Sequence, residues 1–161
     1  MKPRRSRAGK WIALGMLAIW GGAMVVFLLM ERRFAAGRKL ITAAELGNTA
    51  EVEQLLKAGA LTNMRNRSGY TALWLAASNG NTAVVETLLR HGANPGQRAA
   101  DGTTPLMEAS RMGRAGAVEA LVRGGAKIDA EGNNGETALS LAAQQKHADV
   151  EAIVRRAGVT R

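Results

Sequence analysis

The chain has 161 residues, 22 Lys and Arg against 13 Asp and Glu, and a formal charge of +9. It has no cysteine and only two histidines, which excludes thiol chemistry and leaves little for a metal centre or a histidine-based active site. The basic excess is local. Met1–Lys39 carries nine basic residues and one acidic one, +8, whereas the remainder carries thirteen and twelve, +1. Nucleic-acid binding calls for a basic stripe with stacking aromatics on the folded part, and residues 40–161 offer neither.

In chain order, residues 1–10 form a basic tail and residues 11–30, WIALGMLAIWGGAMVVFLLM, form a run without charge. As a helix, 20 residues rise roughly 30 Å, the thickness of a bilayer core, so the run predicts one uncleaved transmembrane helix. Its length and the charged residues 31–33 that follow argue against a cleaved signal. Gly15, Ala18 and Gly22 fall on one face and offer a helix-packing surface within the membrane. Basic flanks imply contact with lipid headgroups. The slightly larger N-terminal set predicts a single-pass protein of a bacterial inner membrane with its folded part in the periplasm. Residues 31–38 are a short connector whose one obvious hinge is Gly37.

From residue 39 onward a fixed step of 33 residues governs the chain. Leu40, Leu73, Leu106 and Leu139 share a column, as do Ala43, Ala76, Ala109 and Ala142. Gly47, Gly80 and Gly113 form another, and Gly59, Gly92, Gly125 and Gly158 a fourth. A strict period of this size means stacked copies of one unit that cannot bury its apolar face alone. Thr71, Thr104 and Thr137 stand where a helix should start, and Gly59, Gly92 and Gly125 where one should end. Arg155 in a Leu position gives the last unit a wet outer face.

The segments GYTALWLAASNG (Gly69–Gly80), GTTPLMEASRMG (Gly102–Gly113) and GETALSLAAQQK (Gly135–Lys146) resemble the ankyrin repeat, as do VVETLLRHGA (Val84–Ala93) and AVEALVRGGA (Ala117–Ala126). The resemblance covers roughly residues 39–159. It departs in keeping the proline of the T-P-L motif only once, as Pro105, and in the usual histidine column, here Ile41, Trp74, Met107 and Ser140. It implies an all-α solenoid of about four helix-turn-helix repeats with short finger turns, at about 39–65, 66–98, 99–131 and 132–161, after the one transmembrane helix.

No catalytic constellation, phosphate loop or clustered metal-ligand set is present in the sequence, so no enzyme, cofactor or metal is expected. His91 and His147 read as structural or exposed, and Glu53, Glu86 and Glu119 as a solvated helix face. The family binds partners through its fingers and inner helices. Carried onto this chain, that surface holds Arg67, Tyr70, Asp101, Arg111 and Met112. Trp74 either packs between repeats or walls a small apolar patch with Tyr70, Met107 and Met112. The expected role is a membrane-tethered adaptor or accessory subunit holding a partner protein through its concave face. The alternative is an immunity-like inhibitor or protector of a periplasmic or membrane-active enzyme.

Overall fold

The computed structural model describes the backbone of residues 7–159 and the side chains of residues 22–159. Within them the chain forms eight helices: α1 (Arg7–Glu45), α2 (Thr49–Lys57), α3 (Ala72–Asn79), α4 (Thr82–Arg90), α5 (Pro105–Arg111), α6 (Ala115–Arg123), α7 (Ala138–Gln144) and α8 (Ala148–Val159). The C-terminal part of α1 with α2 makes the first pair, and α3–α4, α5–α6 and α7–α8 make the next three. Each pair packs on its neighbour. The helices α1, α3, α5 and α7 form one row, and α2, α4, α6 and α8 the other.

The core runs along the stack. Leu40, Leu73 and Leu106 are buried, and the Ala43, Ala76, Ala109 and Ala142 column lets the rows approach closely. Val52, Val84, Val85, Leu88, Val118 and Leu121 fill the space on the other side of the core. Local chemistry sets the boundaries. The hydroxyls of Thr71, Thr104 and Thr137 accept from the amides of Trp74, Met107 and Ser140, capping α3, α5 and α7. Each finger turn is closed by one recurring backbone bond: Asn66 to Tyr70, Ala99 to Thr103 and Gly132 to Glu136.

Gly47, Gly80 and Gly113 all have positive φ, and the fourth member of their column is Lys146, with φ 61°. A side chain is disfavoured there because its Cβ crowds the following carbonyl. Gly158, by contrast, lies inside α8, so the fourth repeat does not end on the left-handed glycine used at Gly59, Gly92 and Gly125. Ser110 takes the place that Ala44 and Ala77 hold in earlier units. It is fully buried and its hydroxyl has no hydrogen-bond partner.

The N-terminal expectations require correction. Among the described residues no helix is long and apolar enough to cross a membrane. The side chains of residues 11–21, with Gly15 and Ala18 of the expected packing face, lie outside the described residues. A side chain at Gly22 would meet nothing within 4 Å. The transmembrane helix, lipid as a partner, the membrane tether, helix packing within the membrane and the inner-membrane location with periplasmic repeats are therefore not supported. Residues 31–38 belong to α1, so the helix runs straight through the connector into the first repeat. Gly37 is no hinge, since a Cβ there would lie 2.7 Å from Met64 Sδ. It is a close-packing point between α1 and the first finger.

The two misfits in the repeat columns give a stability test. Ser110→Ala removes an unpartnered hydroxyl and Lys146→Gly relieves a left-handed backbone, so each should raise unfolding stability by about 1 kcal/mol. Gly80→Ala should lower it, because φ is +73° and the new methyl would meet Arg114 Cδ at 2.9 Å. Urea denaturation followed by circular dichroism reads all three.

Candidate interaction face

The sequence singles out residues on the finger side of the inner row, and the structure joins several of them. Tyr70 and Trp74 stack with ring centroids 4.0 Å apart and planes 18° from parallel. Trp74 Nε1 donates to Thr103 Oγ1 at 3.0 Å, and that hydroxyl donates to Asp101 Oδ1 at 2.7 Å. An indole of the second repeat is thus fixed by a hydroxyl and a carboxylate of the second finger, in the third repeat. Thr103 is a finger position in the sequence but is not singled out there as a site residue. The signal for it was the histidine column: a tryptophan there needs an acceptor for its N–H.

Trp74 is only 7 % exposed and Met107 only 1 %. Of the two expected readings of Trp74, this burial favours packing between repeats over an exposed apolar patch. Trp74 packs between repeats, and Met107 lies beneath the surface with its sulfur 3.4 Å from the Thr104 amide nitrogen. The exposed members of the set are Arg67, Asp101, Arg111 and Met112, with Tyr70 half-buried.

Arg111 is tied down. Its Nε and Nη2 donate to the two oxygens of Glu108 at 3.0 and 2.6 Å, and Ser78 Oγ donates to Glu108 Oε1 from the preceding repeat at 3.2 Å. Glu108 is buried, and this fork and the Ser78 hydroxyl give its carboxylate oxygens their partners. The Glu108 hydrogen bond raises the Arg111 pKa, burial opposes the rise, and the charges of Glu108, Asp101 and Tyr70 add to it. With a folded value raised above the unfolded one, the contribution is fully present below arginine's ordinary range and lost only in strong alkali. Arg111→Ala would therefore cost stability as well as any contact.

Another column links each unit to the one before. Asn81 Nδ2 donates to the carbonyls of Ala44 and Glu45 at 3.1 and 3.2 Å. Arg114 Nε donates to Ser78 O at 3.1 Å, and His147 Nε2 to Arg111 O at 3.2 Å. His147 is thus a structural donor. His91 is structural too, 3.5 Å from Glu53 on the outer row, where Lys57 Nζ and Arg90 Nη2 also lie 3.2 and 3.9 Å from the same carboxylate. The Lys57 hydrogen bond holds the Glu53 carboxyl below the usual range. Desolvation opposes this, while His91 adds to it.

The sequence model described as Ankyrin repeats (3 copies) matches residues 14–99, 40–132 and 92–159. The comparison with curated proteins found no match.

Two measurements test this geometry. Thr103→Val keeps the shape but strips Trp74 of its acceptor, so it should destabilise by about 1–2 kcal/mol in urea melts. The folded pKa of Glu53 is depressed, so its contribution is present above the ordinary glutamate range and lost as pH falls through the folded value. Glu53→Gln should therefore be less stable than wild type at neutral pH and approach it in acid.

Proposed function

Because the chain belongs to the ankyrin-repeat family, a non-catalytic protein-interaction scaffold, we propose that it is a protein-interaction module whose contact surface is the finger-side face of repeats two and three. The repeats are divided at about 39–65, 66–98, 99–131 and 132–161. The observation that carries the reading is the Tyr70–Trp74 stack locked to Thr103 and Asp101. It sets an aromatic edge and a carboxylate on a rigid base, and the Glu108 fork fixes the Arg111 guanidinium, so little side-chain entropy remains to be lost on binding. Tyr70, Arg67, Asp101, Arg111 and Met112 are the contact residues in this reading. Trp74 and Met107 support them from beneath.

The partner is a protein, bound without cofactor or metal and with no role for nucleic acid. Residues 40–161 are close to neutral, and their aromatic side chains are used in packing or in this one stack.

Photo-crosslinking tests the assignment. A benzophenone side chain at Arg67 or Met112 should trap partner protein in cell extracts, and one at Glu119 on the outer row should not. Tyr70→Ala with Met112→Ala should weaken the trapped partner by about 1–3 kcal/mol while leaving the helical spectrum unchanged. Crosslinks from Glu119 alone would move the contact surface to the outer row.

A further inference from the structure

Among the described arginines, Arg90, Arg111, Arg123 and Arg155 each lie within ion-pair distance of a glutamate, and Arg33, Arg98 and Arg114 donate to backbone carbonyls. Arg38, Arg65 and Arg67 make no ion pair or side-chain hydrogen bond with the described residues, and all three are exposed. They line one groove of about 320 Å³, together with Ile41, Thr42, Met64, Asn66 and the single carboxylate Glu45. The groove lies between α1 and the first finger. Its floor includes buried Ile41 and half-buried Met64. The third finger, by contrast, carries Asp129, Glu131 and Glu136, so basic charge is concentrated at the first-repeat end.

Three unpaired guanidiniums around a partly apolar floor repel one another until an anion joins them, and a planar guanidinium matches a carboxylate in two hydrogen bonds. We propose that this groove receives an acidic segment of the partner protein, in which carboxylates meet Arg38, Arg65 and Arg67 while an apolar side chain rests on Ile41 and Met64. The proposal rests on the finger-side face being the contact surface and names the chemistry that the face selects. The expected charge pattern also steers encounter, since such a groove raises the association rate with acidic partners in a salt-dependent way.

The test uses the full chain and a fluorescent peptide of alternating Glu and Leu, read by anisotropy. The peptide should bind, and its affinity should fall steeply as salt rises from roughly 50 to roughly 300 mM. An alternating Lys and Leu peptide should not bind. Arg38→Gln with Arg65→Gln should weaken binding roughly tenfold, and Glu45→Gln, which removes the one repelling charge, should strengthen it a few-fold. Circular dichroism confirms that each variant folds, and Glu45→Gln gives a gain that misfolding cannot imitate. Binding indifferent to both changes would overturn the groove. If the Arg38, Arg65 variant also traps partner at Met112 as well as wild type does, the groove is wrong while the interaction face stands. A short single-stranded oligonucleotide bound more tightly than the acidic peptide, and lost in the same variant, would overturn the carboxylate occupant. Peptide binding that responds as expected while crosslinks arise only at Glu119 would keep the groove and displace the wider face.

Discussion

One backbone constraint organises this molecule. An inner helix ends with carbonyls that have no partner within the helix, and each unit leaves that need to the next. The carbonyls of Glu45, Ser78 and Arg111 accept from Asn81, Arg114 and His147, three different side chains at one register. The chemistry varies from amide to guanidinium to imidazole, but the donor is always there. Beside each such end sits a left-handed residue that turns the chain toward the outer row. Helix termination and repeat-to-repeat adhesion are therefore the same event. Removing a unit would leave its predecessor's carbonyls unsatisfied as well as its apolar flank exposed.

The finger-side face inherits its rigidity from this arrangement. Tyr70 and Trp74 belong to the second unit, but the hydroxyl and carboxylate that hold the indole belong to the third. Glu108 belongs to the third and receives Ser78 from the second. Both polar links cross the same junction, so the geometry of the face is set only when the two units are stacked. This places specificity in the junction and not in either repeat.

Much of this was legible in the sequence because period fixes place. The Leu40, Leu73 and Leu106 and the Ala43 and Ala76 columns located the core, and Thr71, Thr104 and Thr137 located the helix starts that the structure shows. What period could not show was depth. Met107 and Trp74 stand in a column that holds a polar residue elsewhere in the family, and only the packed fold shows that both point inward. Nor could period reveal Thr103 as an acceptor or the unpaired state of Arg38 and Arg65, which depend on side chains from different units meeting. The anchor expectation came from hydropathy, run length and flanking charge, all read along the chain. Gly37 reads as a hinge by residue type, yet its missing side chain makes room for Met64, which a linear reading cannot see.

That close contact at Gly37 has a geometric consequence. The first inner helix of the stack is the end of α1, continuous from Arg7 to Glu45, and it is seated against the first finger where Met64 meets Gly37. The upstream turns of α1 are thus in phase with the finger-side face. An inserted residue upstream of Gly37 would turn everything before it by about 100° and displace it by about 1.5 Å, with no joint in the helix to absorb the change. The azimuth of whatever the N-terminal turns carry is written into the residue count between it and Gly37.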